Sequence, residues 1–204
     1  GYYQTVNKTT PVAGDVKYVD RNGDGVVDDN DRDIIGNPNP DFTYGFQTKV
    51  SWKSLSLSAS FNGVQGRDIL NVGNRYNNTP GTKSNNVTRK AFQNMWTDEN
   101  PSNLYPKSTF VVQNMVMDRY VEDGSYLRCS DITLSYVLPA KWTNKIGIKN
   151  TSVYASVKNA FVITDYSGYD PEVNSFAFDG LRPGVDMNSY PTPRSFVFGL
   201  NLTF

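Results

Sequence analysis

The stretch SFVFGLNLTF, residues 195–204, alternates large apolar side chains with smaller or polar ones. Every second position carries a bulky apolar side chain: Phe196, Phe198, Leu200, Leu202 and Phe204. Successive side chains of a β-strand point to opposite faces, so this period of two predicts a strand with one apolar face. Four further segments share the period, and the sequence therefore predicts an all-β chain.

The other alternating segments are FTYGFQTKVSW (42–52), LSLSASFN (55–62), SDITLSYVL (130–138) and SVYASVKNAF (152–161). Their period fits either a soluble β-sandwich or a membrane barrel. Polar residues opposite the apolar face, and aromatic residues near the strand ends, favour the barrel: Phe42, Trp52, Phe196 and Phe204. Arg128 falls on the apolar parity, so we expect it above the apolar band or at a β-bulge.

Composition excludes several classes of function. The 204 residues carry 20 basic and 20 acidic side chains, and this balance argues against nucleic-acid binding as the main role. The sequence has no histidine and one cysteine, which excludes disulfides within the chain, thiolate zinc sites and histidine-based catalysis. No stretch approaches the roughly 18 apolar residues of a membrane-spanning helix, so any contact with a bilayer must use strands.

The connections alternate between short and long. A two-residue turn separates residues 52 and 55, whereas about 60 residues follow Asn62 and about 30 follow Phe161. Outer-membrane barrels have short periplasmic turns and long external loops. We therefore expect an all-β, antiparallel up-and-down meander in the wall of an outer-membrane β-barrel, with residues 195–204 as its closing strand. Residues 1–41 would be an external segment, and 42–204 would hold the strands and long external loops at about 63–125 and 164–194.

An acidic loop in the first segment, DRNGDGVVDDND, has the spacing of a calcium-binding loop. The ligands would be five side chains and the carbonyl of Val26: Asp20, Asn22, Asp24, Asp28 and Asp31. Calcium prefers six to eight oxygen ligands, and a cation relieves the repulsion between close carboxylates. The alternative is a cluster of Asx turns without metal, because Asp, Asn and Gly all favour turns. An external site would need only weak affinity and would serve a structural role.

Substrate contacts would come from the long loops. Arg75, Tyr76 and Trp96 are candidates, since rings stack on sugars and polar groups pair with hydroxyls or peptide groups. The alternative is that these side chains pack within their own loop. A second stretch, TDYSGYDPEV, contains Asp165, Asp170 and Glu172, but it is more typical of a turn than of a glycosidase carboxylate pair. No pair of nucleophile and base stands out, so an enzyme is not expected.

Four stretches carry a family resemblance: GDVKYVDRNGDGVVDDNDRDIIGNPNPDFTYGF, VEDGSYLRCSDITLSYVLP, VYASVKNAFVITDYSGYDPEV and YPTPRSFVFGLNLTF. In order and spacing they resemble the SusC/RagA family of TonB-dependent outer-membrane transporters of Bacteroidetes. The resemblance runs from about residue 14 to residue 204. It implies a large transmembrane β-barrel of about twenty-two strands with a plugged lumen, of which this chain would be the last five strands or so. A terminal phenylalanine such as Phe204, on the closing strand of an outer-membrane barrel, is the recognition mark for barrel assembly.

The resemblance also implies partners. It predicts import of glycan oligomers or peptides, a SusD-like surface lipoprotein as a lid, and coupling to TonB through an N-terminal part that this sequence does not include. The remainder of the barrel and the lipid of the outer membrane would surround the five strands. The alternative is a secreted all-β polysaccharide-binding module with a dockerin-like calcium loop, whose apolar residues would be buried in a soluble core.

Overall fold

The computed structural model describes residues 12–79, 86–108, 116–143, 148, 150–172 and 174–203. Its strands are β1 Phe42–Trp52, β2 Leu55–Gln65, β3 Asp68–Asn71, β4 Val121–Asp123, β5 Tyr126–Val137, β6 Asn150–Thr164, β7 Val185–Asp186 and β8 Ser195–Thr203. The α-helices are α1 Val72–Asn78, α2 Arg89–Asn94 and α3 Ala140–Thr143, with 3-10 turns at Asp29–Asp31 and Asp118–Tyr120. Among the described residues, no helix is long and apolar enough to cross a membrane.

Five strands form one antiparallel sheet in the order β1-β2-β5-β6-β8. Neighbours in the sheet follow one another along the chain, apart from three short strands in the long connections, so the sheet is an up-and-down meander. The predicted all-β fold is thereby confirmed. Lys53 allows the two-residue turn between β1 and β2 by adopting a left-handed φ of 53°.

One side of this sheet is apolar. Rows of directly facing residues cross all five strands, as in Trp52–Leu55–Tyr136–Val153–Leu200 and Val50–Leu57–Leu134–Ala155–Phe198. We call this side the apolar face. A row of rings continues it, with Phe46 stacked on Phe61 at a centroid distance of 4.5 Å. Phe198 is 78% exposed and Trp52 69% exposed, so the described residues leave this face uncovered.

The opposite side, the polar face, is built from small and polar residues. One row reads Gln47–Ser60–Asp131–Lys158–Ser195 and the next Lys49–Ser58–Thr133–Ser156–Val197. Asp131 joins these rows, because its carboxylate pairs with the Lys158 ammonium at 2.6 Å and accepts from the Ser156 hydroxyl at 2.8 Å. The alternating residues read from the sequence thus lie on opposite faces of one sheet, with apolar side chains on one face and polar side chains on the other.

A β-bulge at Ser130 resolves the position of Arg128. Ser60 pairs with Asp131 and Phe61 with Cys129, so Ser130 has no partner on β2 and its hydroxyl donates to the Ser60 carbonyl at 3.1 Å. The extra residue moves Arg128 to the parity of Asn62, on the polar face, where it is buried. The structure therefore contains the bulge that the sequence allowed for.

The chain divides into two compact units. The sheet unit comprises Pro40–Gly66, Gly124–Tyr166 and Pro191–Phe204; the loop unit comprises Gly1–Asn39, Arg67–Asp123 and Ser167–Tyr190. The loop unit thus combines the first segment with most of both long connections. Its predicted external position stays a prediction.

The loop unit has a conventional small core. Strand β3 pairs antiparallel with β4 and parallel with β7, and the buried core side chains are Leu70, Met117, Tyr120 and Val185. Tyr18 of the first segment packs against this core, where burial raises the pKa of its phenol to about 12. The loop unit therefore has a buried apolar core of its own, although other apolar side chains of this unit, such as Phe178 and Leu181, are exposed.

Candidate functional site

The loop unit contains a polar cleft of about 520 Å³. Five asparagines line it, and we call it the asparagine cleft: Asn71, Asn74, Asn77, Asn78 and Asn188. Three tyrosines contribute rings: Tyr105, Tyr120 and Tyr169. Leu104 is the one aliphatic side chain in the lining that the structure describes, so the cleft is dominated by amides, hydroxyls and rings.

Helix α1 positions most of these amides. The Asn71 side chain caps the helix by accepting from the backbone N–H of Asn74 at 2.8 Å. Asn74 and Asn78 lie one turn apart, and their side-chain amides are hydrogen-bonded to each other. Asn78 also accepts from the Thr88 hydroxyl at 2.6 Å, which ties α1 to the start of α2.

Glu122 on β4 holds the inner wall of the cleft. Its Oε1 accepts from the amide nitrogens of Asn71 and Asn74, both at 3.0 Å, and from the Ser167 hydroxyl at 2.9 Å. Its Oε2 accepts from the Ser167 backbone N–H at 2.9 Å. One carboxylate thus receives four hydrogen bonds from three lining residues, which fixes their orientation. Glu122 lies in the stretch VEDGSYLRCSDITLSYVLP, but nothing in the sequence assigned it a role in a site.

Arg119 extends along another side of the cleft. Its guanidinium donates to the Leu104 carbonyl at 2.7 Å and lies 5.8 Å from the ring centroid of Tyr105 and 5.5 Å from that of Tyr120. Two cation–π contacts and one hydrogen bond hold the side chain in place. One hydrogen bond leaves most of the five N–H donors of this guanidinium without a protein acceptor among the described residues.

The three substrate residues predicted from the sequence are close to lining residues along the chain. None of the three belongs to the described lining of the cleft. Arg75 and Tyr76 are on α1, with the guanidinium 4.6 Å from the Tyr76 ring centroid. Trp96 packs against Gly14, where an added Cβ would lie 2.5 Å from the indole ring. Their role in binding stays a prediction. The asparagines at spacings of three and four in NVGNRYNN were the available signal for the cleft.

The acidic loop is held together by its own backbone N–H groups. Asp20 accepts from Gly23 and Gly25 at 2.7 and 2.8 Å, and Asp24 accepts from Val26 at 2.8 Å. Asn22 Oδ1 accepts from the backbone of Asp24 at 2.9 Å. These Asx turns hold the first of the predicted ligands in one compact loop.

Asp31 anchors the end of this loop. It is 2% exposed, and its carboxylate accepts backbone N–H groups from Asp28 at 2.8 Å, Arg21 at 2.7 Å and Asn22 at 3.4 Å. The bonds from Asp28 and Arg21 hold the pKa of the Asp31 carboxyl below its usual value of 3.8. No group of three or more Asp, Glu, His or Cys side chains among the described residues converges as metal ligands would.

Two other predicted features can be located. Asp170 is buried and accepts from the backbone of Glu172 at 2.9 Å, and the Pro171 carbonyl accepts from Arg67 at 2.7 Å, so this stretch forms a fixed turn. The apolar positions predicted for the closing strand belong to β8 and are exposed on the apolar face: Phe196, Phe198, Leu200 and Leu202. Phe204 lies outside the described residues. The role of these positions in barrel assembly stays a prediction.

No protein-family model matches the chain. TonB-dependent receptor P26 of Formosa agariphila is 35% identical over 201 residues, which are 95% of this chain and 20% of that receptor. TonB-dependent receptor SusC of Bacteroides thetaiotaomicron is 34% identical over 194 residues, 92% of this chain and 17% of SusC. The chain thus spans about a fifth of the length of the relatives it matches.

Solved structures agree with these relatives. The RagAB peptide importer in its 'open-open' state superposes with a TM-score of 0.76 at 28% identity, covering 100% of this chain and 22% of that one. The RagAB peptide transporter gives a TM-score of 0.74 at 27% identity, again over the whole chain and 22% of the other. The relatives and neighbours are receptors and transporters, not enzymes. The resemblance read from the sequence is confirmed, and the chain belongs to the SusC/RagA-like TonB-dependent receptors, of which it is a segment.

Proposed function

We propose that this chain is part of an outer-membrane transporter that imports glycan oligomers or peptides in a TonB-dependent manner. The single observation that supports this best is the apolar face of the sheet unit. Large side chains such as Phe198 and Trp52 are exposed on it, while the opposite face carries serines, threonines and charges. A sheet with one uncovered apolar face and one polar face fits the wall of a barrel. The apolar face would contact lipid, and the polar face would line an aqueous or plugged lumen.

The sheet edges support the same proposal. In the part of the chain that the structure describes, β1 and β8 each pair with one neighbour, which leaves one row of backbone groups unpaired on each. Such edges cannot face hydrocarbon, so further strands of the same receptor would continue the sheet on both sides. A secreted polysaccharide-binding module is not favoured, because it would have to bury the apolar face within itself.

Partners follow from the family. A surface lipoprotein like SusD would cover the external side, and other parts of the receptor would contact TonB. RagAB is a peptide importer, so peptides are the cargo of that structural neighbour. For the whole receptor that contains this chain, both glycan oligomers and peptides remain cargo classes of the proposed function.

Uptake by cells tests the proposal. The gene for the full-length receptor that contains this chain would be deleted and restored in its own host, with and without functional TonB. Accumulation of fluorescent glycans and peptides should fall on deletion and recover only when receptor and TonB are both present. Unchanged accumulation of every probe in the deletion strain would contradict the import function.

We further propose that the acidic loop binds calcium with a structural role. The proposal rests on the ligand spacing and on the proximity of Asp20, Asn22 and Asp24, whose side-chain oxygens accept backbone N–H groups within one loop. Calcium titration of the full-length receptor tests it, with the Asp20→Asn/Asp24→Asn double variant expected to lose binding. Asp29→Asn is the matched control, because Asp29 lies in the same loop but pairs with Arg32 at 2.8 Å and is not a predicted ligand.

A further inference from the structure

The polar groups of the asparagine cleft fall into a fixed set and a free set. The amides of Asn71, Asn74 and Asn78 and the hydroxyls of Ser167 and Thr88 bond to one another or to Glu122. They form a rigid wall whose hydrogen-bonding capacity is largely used. Binding to such a wall requires little further ordering of side chains, which lowers the entropic cost of association.

The free set faces the same space. Among the described residues, the side chains of Asn77, Tyr105 and Tyr169 have no hydrogen-bond partner, although all three line the cleft. Tyr169 is 74% exposed. An amide offers two donors and one acceptor oxygen, and a phenol offers one donor beside a flat ring. These groups match a ligand that carries many hydroxyls on a ring.

The accessible charge of the cleft is positive. Lys90 and Arg119 line it, and neither has an ion-pair partner in the described part of the chain. The acidic residue of the lining, Asp186, is 3% exposed and accepts from the Ser189 backbone at 3.0 Å. The other carboxylate, Glu122, lies behind the wall and accepts four hydrogen bonds from Asn71, Asn74 and Ser167. The two exposed cations are therefore the charges that a ligand meets first, and guanidinium matches carboxylate or sulfate oxygens in geometry.

The lining also separates sugars from peptides. Pockets that select peptide side chains supply apolar subsites, whereas here Leu104 is the one aliphatic contributor described. Beyond Leu104 and the tyrosine rings, a peptide would therefore leave its apolar side chains against amides and hydroxyls. An oligosaccharide can stack a ring face on Tyr169 and direct its hydroxyls to Asn77 and Tyr105.

We propose that the asparagine cleft binds an oligosaccharide bearing carboxylate or sulfate groups, with Arg119 and Lys90 contacting the acidic groups and Tyr169 stacking on a sugar ring. Glu122 is a positioning residue that holds the wall. This assignment rests on the proposed import function and chooses, within it, an acidic glycan over a peptide. It departs from the cargo named for the RagAB importer.

Binding to the purified full-length receptor tests the assignment. The probes are a galacturonic acid hexamer, a sulfated galactan tetrasaccharide, maltohexaose and a mixed pool of hexapeptides, each measured by calorimetry. At least one acidic probe should bind more tightly than maltohexaose and the peptides. Because a lost charge-assisted hydrogen bond weakens binding roughly tenfold or more, Lys90→Gln and Arg119→Gln should each reduce affinity for that probe by about this factor.

Matched variants separate the cleft from general charge and from folding. Arg182→Gln removes a loop-unit cation that pairs with Asp179 at 3.3 Å outside the cleft lining, and it should leave affinity unchanged. Lys90 is exposed on α2, so its variant should fold normally even if Arg119→Gln disturbs the tyrosines. Preference between the hexamer and the tetrasaccharide identifies carboxylate or sulfate as the recognised group.

Three results would overturn the assignment: tighter binding of maltohexaose, tighter binding of peptides, or affinity that Lys90→Gln leaves intact. A receptor that binds none of the four probes would overturn it as well. The import function has a separate readout. If the receptor still supports TonB-dependent uptake while the cleft variants change nothing, the cleft assignment fails alone. If an acidic probe binds in the cleft but cells take it up equally well with and without the receptor, the import function fails alone.

Discussion

The two units of this chain distribute their apolar residues in opposite ways. In the loop unit Leu70, Met117 and Val185 form a buried core, whereas in the sheet unit Leu134 and Phe198 are exposed on one face and the polar residues lie on the other. Leaving a side chain of this size in water forfeits about 1.5–3 kcal/mol relative to burial. Contact between the apolar face and lipid would recover this free energy in the sheet unit, and this requirement can be tested on each unit.

The largest effect should come from a charge on the apolar face. Leu134 is 44% exposed on the central strand β5, between Leu57 and Ala155 of the adjacent strands. Leu134→Arg should destabilise the full-length receptor in phospholipid vesicles by about 2 kcal/mol or more, because an arginine that faces hydrocarbon must leave water. Urea unfolding in vesicles, together with surface levels in cells, measures the loss.

Ser135→Arg is the matched control for that substitution. Ser135 is the next residue on the same strand and belongs to the polar face, opposite Ser56 and Tyr154. A charge there remains in a polar environment and should cost much less. Equal losses for the two arginines would show that the apolar face does not contact lipid.

A smaller effect should come from the one tight ring contact described on the polar face. The Tyr154 ring lies over Gly199 on the neighbouring strand, and a Cβ added to Gly199 would overlap with it. Gly199→Val should destabilise the receptor by about 1–3 kcal/mol through this overlap. Gly45→Val is the control, since its added Cβ would meet only the Phe61 carbonyl at 3.4 Å. If both variants unfold at the same urea concentration, the contact between the Tyr154 ring and Gly199 does not contribute to stability.

A third effect, of about 1 kcal/mol, concerns the charge network of the polar face. Asp131→Ala removes the partner of Lys158 and the acceptor for the hydroxyls of Thr133 and Ser156. The loss is modest because Lys158 is half exposed and stays hydrated. Urea unfolding at low and high salt measures it, and Asp131→Asn, which keeps an acceptor oxygen, should lose less. If Asp131→Ala lowered the free energy of unfolding more than Leu134→Arg does, the polar face and not the apolar face would be the more sensitive to substitution.

The sheet was predictable because its information is local. A period of two along β1 or β8 predicts both the strand and which residues lie on each of its faces. The two-residue turn at Lys53 sets the register between β1 and β2. The bulge at Ser130 could be suspected only because Arg128 broke the parity. The cleft was not predictable, since Asn74, Arg119 and Asn188 come from distant parts of the chain, and Glu122 lies in a stretch of the family resemblance that gave it no role. Arg75 and Trp96 were chosen because they are polar or aromatic residues of a long loop, but neither belongs to the described lining of the cleft.

The smallest effect should be local to the acidic loop and should depend on pH. The folded pKa of Asp31 lies below its usual value of 3.8, so its ionised form is the one that folding stabilises. That contribution is fully present above the unfolded value and is lost as the pH falls through the lower folded value. As the pH is lowered from about 6, hydrogen exchange corrected for intrinsic rates should therefore change little down to about pH 4 and accelerate below it, at the amides of Arg21, Asn22 and Asp28.

The exchange at these three amides distinguishes the two units, because each donates to the Asp31 carboxylate and none belongs to the sheet. Asp31→Asn should make their exchange fast at about pH 6 and nearly independent of pH, since the charge that strengthens the bonds is absent. Amides in β2 and β5 should not respond, because their bonds are to other strands. If protection at Arg21 and Asp28 is equal in the variant and the native chain, the carboxylate does not anchor the loop, and the order of the first segment must come from its packing around Tyr18 instead.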